Sequence, residues 1–346
     1  PSISARSRGS TTLGLGGSVP SKGGILLEMS TMNRVVEVDP HTLSATVEAG
    51  VTWEALRMAA RARGLRVGAY PSSALSATVG GWLGGGGVGI GSYRYGAAAD
   101  QGRWLEVVLA DGRVLETGFR GVMDNASGYS LTNMFVGAEG TLGVITRATI
   151  KLHPRTGDVV PTAYSFDGME DAARGILALT RSPVVPYNIS FVDGMHLRNV
   201  AELGASVPEG AGALVSVALE GHPREVSLAD SETEAAMGSA GGRRLSEEEA
   251  AESWENRSYE FRVKRLGPGL VPGSIFVPTN RFPEVVEAVR EAVSDLGMRA
   301  GVTGLVADRG TVDVLPYYIV DDRRMLKGLA VMGFMKRLTD IALAHG

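Results

Sequence analysis

A glycine-rich stretch between residues 70 and 96 decides the fold, and its sequence is YPSSALSATVGGWLGGGGVGIGSYRYG. Small residues dominate it and charge is almost absent, a composition that disordered linkers share. Val79, Trp82 and Ile90, however, are poor linker residues. We interpret the stretch, called the second loop below, as backbone that packs closely against a flat ligand, because small side chains leave clearance there.

Two further glycine-rich loops flank the second loop. The first loop, residues 8–17, follows a strand-like segment, and its glycines let backbone N–H groups point at phosphate oxygens while Ser and Thr hydroxyls add donors. It is neither a Walker A loop nor Gly-x-Gly-x-x-Gly opening a helix, so nucleoside triphosphates and nicotinamide cofactors lose support. The third loop, residues 135–146, is a turn that feeds a strand. Taken singly, the first is also compatible with a flexible surface loop and the third with an ordinary tight turn.

The first half of the chain is predicted to be β-rich with few helices. Thr52 is suited to cap a helix from Trp53 to about Arg63, which Gly64 would end. The Asp111-Gly112 pair predicts a hairpin turn. The predicted strands are 35–39 and 45–50, which would pair as a hairpin, 105–109 and 113–116, which flank the Asp-Gly turn, and 143–150.

The pattern changes after Pro154, where strand-like runs begin to alternate with longer helices. This pattern indicates an antiparallel sheet with helices on one face, as in ferredoxin-like folds. We place the domain boundary there, giving domains 1–154 and 155–346. The predicted strands are 187–192, 214–219, 274–278 and 312–318, and the predicted helices are 170–180, 223–237, 283–296 and 325–344.

Composition excludes several kinds of protein. A chain of 346 residues is long enough for two domains, and a net charge of −4 gives no basic field for nucleic acid. The absence of cysteine excludes disulfides, a cysteine-ligated iron–sulfur cluster and a cysteinyl-flavin bond. Any redox chemistry must therefore use a bound organic cofactor, with electrons leaving to a partner, a diffusible carrier or oxygen. No apolar run reaches about 18 residues, so we expect no membrane span and a cytoplasmic location, peripheral to a membrane only through a partner.

The order of the loops resembles a known family. The matching segments are Arg8-Gly9-x-x-Thr12 with Gly16-Gly17, Leu27-x-Met29-Ser30-x-Met32-Asn33, Pro71-x-Ser73-x4-Thr78-Val79-Gly80-Gly81, Tyr95-Gly96, Asn125-x-x-Gly128-Tyr129-x-Leu131 and Val136-Gly137-Ala138-Glu139-Gly140-Thr141-Leu142-Gly143-Val144-Ile145-Thr146. On these residues the chain resembles the FAD-linked oxidase family of the vanillyl-alcohol-oxidase type, nearest to D-lactate and glycolate dehydrogenases.

The resemblance implies an α+β fold, in which a PCMH-type FAD-binding domain of two small α/β subdomains precedes a ferredoxin-like cap. It also implies FAD as the cofactor. The first loop would hold the pyrophosphate, the second would follow the ribityl chain and isoalloxazine, and the third would lie near the adenosine. The implied FAD-binding residues are Arg8, Gly9, Ser10, Thr11 and Thr12 in the first loop, Pro71, Ser72, Ser73, Ala77, Thr78, Gly80, Gly81, Gly86, Gly87, Ser92 and Tyr95 in the second, and Glu139, Gly140, Gly143, Val144 and Ile145 in the third.

The manner of flavin attachment follows from what the loops lack. Members with covalent flavin attach it through a His or Cys in these loops. This chain has no Cys, and its five histidines lie outside the loops. We therefore expect FAD to be bound non-covalently.

The chain also departs from the family pattern. Related dehydrogenases carry a His-x-Gly-Asp-Gly-Asn-x-His type motif that binds substrate and often a divalent metal. The corresponding residues 304–313 keep only Asp308 and a glycine, and we predict no metal site. The family's strand–helix–strand before the first loop is represented only by its last strand, and its Glu-His segment would follow Gly346. We expect the protein to continue at both ends.

The expected chemistry is hydride transfer from a small 2-hydroxy acid to flavin N5. The substrate carboxylate calls for a cation, ideally a bidentate Arg. Residues 254–265 supply three arginines, and we select Arg262 and Arg265, although a basic helix face is the simpler interpretation. Tyr317 is a further candidate, with sheet packing as its alternative. His196 is a weak candidate for the general base, which the sequence leaves open.

Two functions of different class follow. The first is an FAD-dependent 2-hydroxy-acid dehydrogenase of the D-lactate or glycolate type that passes electrons to an iron–sulfur subunit or an electron-transfer flavoprotein. The alternative is an accessory FAD-binding subunit of a glycolate-oxidase-like complex with no substrate site of its own, which the missing histidines favour. A non-redox use of the same fold, such as alkyl-glycerone-phosphate synthesis, has less support.

Overall fold

The computed structural model describes residues 3–6, 23–122, 126–257, 260–294, 299–320 and 325–345, with backbone alone for 3–6, 260–261 and 325–332. The chain forms two compact units, Pro1–Thr156 and Gly157–Gly346. The strands of the first unit are β1 Ile3–Arg6, β2 Ile25–Glu28, β3 Val35–Asp39, β4 Ser44–Glu48, β5 Leu65–Val67, β6 Gly102–Val108, β7 Val114–Gly118 and β8 Val144–Pro154. Its helices are α1 Trp53–Arg61, α2 Val79–Gly85, α3 Ser92–Tyr95, α4 Ala98–Gln101 and α5 Leu131–Phe135.

The described strands of the first unit form two sheets. Strands β1 and β2 pair in parallel. The larger sheet is antiparallel in the order β3-β4-β8-β6-β7, with β5 also paired to β8. Both predicted hairpins, β3–β4 and β6–β7, are confirmed. The 11-residue β8 lies between β4 and β6 and also pairs with β5, so the third loop leads directly into the centre of the sheet.

Helix α1 confirms the predicted amphipathic helix. The Thr52 hydroxyl accepts a hydrogen bond from Ala55 N at 3.2 Å, as an N-cap should, and the helix ends at Arg61, two residues earlier than expected. Trp53, Leu56 and Ala60 recur on one face and are fully buried. The helix packs against β3, β4 and β5 of the first unit.

The second unit is a single antiparallel sheet with helices. Its strands are β9 Val160–Phe166, β10 Asn188–Asp193, β11 Ala213–Leu219, β12 Arg243–Arg244, β13 Gly269–Pro272, β14 Ile275–Pro278, β15 Ala300–Val306 and β16 Thr311–Val320. Its helices are α6 Met169–Arg181, α7 Gly194–Glu202, α8 Pro223–Ser239, α9 Glu247–Asn256, α10 Phe282–Ser294 and α11 Met325–His345, with 3-10 helices at Glu260–Leu266 and Thr279–Arg281. The described strands follow the order β12-β9-β11-β10-β15-β16-β13, and β14 also pairs with β16.

Side-chain alternation along β10 separates the two faces of this sheet. Phe191 packs against Phe282 of α10 with ring centroids 4.8 Å apart, on the face where α6 and α10 also meet. Ser190 and Val192 point to the opposite face. Helices α7 and α9 lie against that opposite face, in addition to the helices expected on the first one. Among the described residues, no helix has the length and apolar character needed to cross a membrane.

Candidate cofactor site and substrate pocket

The second loop is a folded element rather than a linker. Tyr70 and Ile90, near its two ends, pair through backbone hydrogen bonds of 3.0 and 2.9 Å. Within it, Thr78 caps α2 by accepting a hydrogen bond from Gly81 N at 3.2 Å, and α2 forms although glycine disfavours helix. The loop is therefore a closed structure with a short helix at its centre.

The start of α2 is attached to the sheet and to α1. Val79 N donates to Val51 O and Gly80 N donates to Ala49 O, both at 2.8 Å. Trp53 N, at the start of α1, donates to Ala77 O at 3.0 Å. These bonds hold Ala77 to Gly80, which include three of the predicted FAD-binding residues, at a fixed position over the larger sheet.

Gln101 joins the two ends of the second loop, a role that sequence reasoning missed. Its side chain is completely buried; Oε1 accepts from Ala69 N at 3.1 Å, and Nε2 donates to Tyr95 O at 2.7 Å and Ala97 O at 3.2 Å. One amide thus fixes the backbone just before Pro71 and the turn after Tyr95. A lone Gln has no sequence signature that would have revealed this.

The third loop is attached to the end of α2. Gly137 N donates to Leu83 O at 2.9 Å and Glu139 N donates to Gly84 O at 2.8 Å. Gly86 has φ of +71° and approaches so closely that a Cβ there would lie 3.1 Å from the Gly137 Cα. The structure therefore brings the second and third loops together, as a shared ligand would require.

The predicted binding residues of these loops occupy different environments. Ser92 is buried, with its hydroxyl accepting from Gly89 N at 2.9 Å, and the half-buried Tyr95 ring lies 4.2 Å from the His153 ring. Glu139 and Gly140 are exposed at the turn, both with positive φ. Val144 and Ile145 lie in β8, and Gly143, which precedes them, is close to β6 because a Cβ there would meet Val107. The first loop, with Arg8, Gly9, Ser10, Thr11 and Thr12, lies outside the described residues.

Two observations test whether this region fits FAD. The backbone N–H and hydroxyl groups of Ser72 and Ser73 donate to no other residue that the structure describes, so they remain available to a ligand. A Cβ on Gly84, Gly85 or Gly87 would meet nothing within 4 Å, which leaves an unobstructed backbone surface. Unused donors beside open glycine backbone suit a long, flat, phosphate-bearing cofactor.

A separate pocket lies in the second unit, with a volume of about 110 Å³ accessible to water. Strands β10 and β11 form its floor, where Ser190 faces Ser216 across the ladder. Helices α7 and α9 and the 3-10 helix Glu260–Leu266 form its walls. Its polar and charged lining residues include Ser190, His196, Ser216, Glu249, Glu252, Ser253, Asn256, Arg257 and Arg262.

Of the predicted catalytic residues, Arg262 lines this pocket. Val263 is fully buried in a cluster with Val200, Tyr317 and Ile319, which anchors the 3-10 helix. The adjacent Arg262 stays half-buried at the pocket wall, whereas Arg265 is exposed and is not part of the lining. Arg257, from the same basic segment but not selected, also lines the pocket, with its guanidinium 4.1 Å from the centre of the Trp254 ring.

Tyr317 lies behind the pocket wall and is fully buried. Its hydroxyl is 3.0 Å from His196 Nδ1 and accepts a hydrogen bond from Asn199 Nδ2 at 3.0 Å. Burial, with a smaller contribution from the Arg262 charge, lowers the pKa of His196 to about 3, and burial raises the pKa of Tyr317 well above its usual value, so both are neutral at pH 7. Tyr317 therefore packs in the interior of the sheet, as its alternative interpretation held, and is not part of the pocket lining.

Residues 304–313, which the family resemblance aligned with a metal-binding histidine motif, have structural contacts. Asp308 and Gly310 form the turn between β15 and β16, and Asp308 Oδ1 accepts from Gly310 N. The Arg309 guanidinium donates to the carbonyls of Thr180 and Ser182, each at 2.6 Å, at the end of α6. No group of three or more His, Asp or Glu side chains suited to a metal occurs in the part of the chain that the structure describes.

Backbone-lined loops in the first unit and a charged pocket in the second define an α+β flavoprotein of the PCMH type. Comparison of the sequence with protein families agrees: the FAD binding domain matches residues 2–118, and the C-terminal domain of FAD linked oxidases matches residues 159–346. The chain belongs to the FAD-linked oxidases, and FAD is its cofactor.

Several characterised or named proteins are similar in sequence. Glycolate oxidase subunit GlcD of Bacillus subtilis is 31% identical over 82% of this chain and 62% of its own length. D-lactate dehydrogenase of Archaeoglobus fulgidus is 38% identical over 60% of this chain and 45% of its own length. The chain thus spans only about half to two-thirds of these relatives.

Solved structures share the fold. p-Cresol methylhydroxylase superposes with a TM-score of 0.80 at 18% identity, covering 98% of this chain and 74% of the other. Alkyldihydroxyacetonephosphate synthase gives a TM-score of 0.74 at 18% identity, covering 99% of this chain and 67% of the other. At such identities the likeness establishes the fold alone, and it includes a protein whose name indicates a synthase.

Proposed function

We propose that the chain oxidises a small 2-hydroxy acid of the D-lactate or glycolate type, with the acid bound in the pocket of the second unit. The observation that carries the proposal is the half-buried Arg262 beside a neutral His196 at the pocket wall. A guanidinium can hold a carboxylate through two hydrogen bonds, and partial removal from water strengthens that pairing. The similarity to D-lactate dehydrogenases and a glycolate oxidase subunit supports the same substrate class.

The residues of this chain would divide the work between binding and orientation. Arg262, with Arg257 nearby, would bind the carboxylate and so set which face of carbon 2 is presented. Bound FAD supplies the hydride acceptor. The second and third loops would hold the cofactor through backbone N–H groups and the donors of Ser72 and Ser73. The substrate hydroxyl proton needs an acceptor, for which no residue is assigned.

We further propose that FAD is held without a covalent bond. The histidine side chain nearest the second loop belongs to His153, whose ring packs on Tyr95. Burial lowers the pKa of His153 to about 4. Acid precipitation should release all of the yellow chromophore into the supernatant. Flavin that stays in the pellet would contradict this proposal.

The electrons would leave through a redox partner, an iron–sulfur subunit or an electron-transfer flavoprotein. The chain has no cysteine with which to hold a cluster of its own. After anaerobic reduction, reoxidation by an added carrier protein should be faster than reoxidation by air. Faster reoxidation by oxygen would instead identify an oxidase.

One observation favours the accessory-subunit role as a second candidate. The Arg309 guanidinium donates hydrogen bonds to backbone carbonyls at and after the end of α6. The region that the family resemblance aligns with the metal-binding histidines therefore has a structural role in this chain. A protein without that metal would need a partner to complete the hydroxy-acid site.

Anaerobic mixing of the FAD-loaded protein with D-lactate, L-lactate and glycolate separates the two roles. Loss of oxidised-flavin absorbance with one of these acids supports the dehydrogenase. Unchanged absorbance with the whole panel, in a protein that retains full FAD, supports the accessory role.

A further inference from the structure

His196 lines the pocket of the second unit, and the proposed function assigns it no contact with the substrate. It lies at the start of α7, and its ring lines the pocket although the residue is only 4% exposed. Asp193 Oδ1 accepts from His196 N at 2.8 Å and from Val302 N at 3.0 Å. These hydrogen bonds fix the start of α7 to β15, and they thereby fix the backbone position from which the His196 side chain extends.

The hydrogen-bond partners of the ring determine where its proton lies. Asn199 Nδ2 donates to Ala300 O at 2.8 Å, and because a carbonyl can only accept, this bond sets the orientation of the amide. The same Nδ2 donates to the Tyr317 hydroxyl oxygen at 3.0 Å. Tyr317 is then left with its own proton to donate, and His196 Nδ1, 3.0 Å away, is the acceptor it faces.

A ring whose Nδ1 accepts a hydrogen bond carries its proton on Nε2 when it is neutral. Burial keeps the ring neutral, since it lowers the pKa of His196 to about 3. Nε2–H therefore has no lone pair with which to take a proton. Tyr317 and Asn199 act through His196, as residues that position it.

We propose that His196 Nε2–H is a hydrogen-bond donor to a carboxylate oxygen of the anionic ligand that Arg262 binds in this pocket, and that Ala300, Asn199 and Tyr317 form the chain of hydrogen bonds that fixes its tautomer. This inference rests on the proposed function for the identity of the ligand. It assigns His196 a binding role and excludes it as the general base.

The tautomer can be tested without any ligand or turnover. Nitrogen-15 histidine labelling of the FAD-loaded protein should show a neutral His196 ring protonated at Nε2 at pH 7. Replacing Tyr317 with Phe removes the donor to Nδ1 and should allow the Nδ1–H form to appear. A wild-type ring protonated at Nδ1, or doubly protonated, would overturn the inference.

The ligand contact can be tested with two amide variants and oxalate as a non-reducing anionic probe, measured by calorimetry. In His196→Gln the side-chain amide reaches the Nε2 position and can still donate, so oxalate affinity should fall by no more than about threefold. In His196→Asn the amide occupies the Nδ1 position, and affinity should fall by about tenfold or more. Thermal melting of both variants controls for folding.

The outcomes separate this inference from the proposed function. Equal oxalate affinity in the wild type and both variants, or no oxalate binding to the wild type, would overturn the role of His196 even if a hydroxy acid reduces the flavin. Conversely, the expected tautomer and the Gln–Asn difference with no flavin reduction by any hydroxy acid would support His196 as an anion donor and reject the proposed function.

Discussion

The cofactor site of the first unit is formed mainly by backbone groups, whereas the pocket of the second unit is formed mainly by side chains. In the first unit the second and third loops meet through backbone groups, with Gly86 and Gly137 in close approach. In the second unit the pocket depends on side chains such as Arg262 and His196. A site formed by backbone tolerates few residue types, so it is visible in the sequence as a pattern of small residues. A site formed by side chains appears in the sequence only as isolated polar residues, which any protein surface also contains.

Gly86→Val should give the largest effect, because it acts on the backbone site. A side chain there would press on the Gly137 Cα at a φ of +71°. The strain and overpacking together amount to about 2–5 kcal/mol, so FAD affinity should fall by about 30-fold to several thousandfold. The flavin-to-protein ratio after gel filtration measures it.

Gly238→Val is the matched control for this substitution, since a Cβ in that exposed turn of α8 meets nothing within 4 Å. Its flavin content should equal that of the wild type. If Gly86→Val also retained full FAD, the close approach of the two loops would have no part in holding the cofactor.

Arg262→Gln tests the side-chain site and should leave flavin content unchanged. Loss of a charge-assisted pair costs about 2–3 kcal/mol, so KM for the hydroxy acid should rise by about 30- to 150-fold. Steady-state kinetics with a dye acceptor measures it. Arg265→Gln removes the same charge from an exposed position outside the pocket and should change KM by less than about twofold. The same change in both variants would mean that general electrostatics, and not the pocket, binds the acid.

Gln101→Glu should weaken the backbone site less than Gly86→Val. It removes the donors to Tyr95 O and Ala97 O and places a carboxylate beside those oxygens, at a cost of about 2 kcal/mol. Urea unfolding and FAD titration should both register it. Asn133→Asp, which adds an acid on the exposed face of α5, should leave both measurements within error. Normal FAD affinity in Gln101→Glu would show that FAD binding does not depend on the hydrogen bonds by which Gln101 links the two ends of the second loop.

The smallest expected effect is on the pH dependence of stability. The pKa of His196 is depressed from 6.5 to about 3, so its contribution is complete above pH 6.5 and is lost as the pH falls toward the folded value. Wild-type protein should lose about 1 kcal/mol of unfolding free energy between pH 6.5 and 5.5 from this group, and His196→Gln should not. Burial raises the pKa values of Asp193 and Asp313 to about 6, which acts in the opposite direction but equally in both proteins. If the free energy of unfolding, measured with urea, changed equally with pH below 6.5 in the wild type and in His196→Gln, His196 would not be buried as a neutral ring.

Sequence reasoning succeeded where local chemistry decides the structure. Thr52 and the Asp111-Gly112 pair located α1 and the β6–β7 hairpin, and the family resemblance carried by the glycine-rich loops identified FAD. It failed where distant residues meet. The helix at Val79–Gly85 forms against glycine's low propensity because its first residues bond to Ala49 and Val51, some 30 positions earlier. The role of Gln101 and the distance of Tyr317 from the pocket surface likewise depend on partners that no local pattern specifies.

The closure of the second loop has a consequence for how the apoprotein binds FAD. The Tyr70–Ile90 bridge and the Gln101 amide join its ends through the protein itself. The entropy of closing a loop of this length, about (3/2)RT ln n, is therefore lost during folding rather than during cofactor association. In newly folded protein the second loop would already be closed before FAD binds. After mild removal of FAD, the apoprotein should rebind it in a single bimolecular step, without being unfolded and refolded.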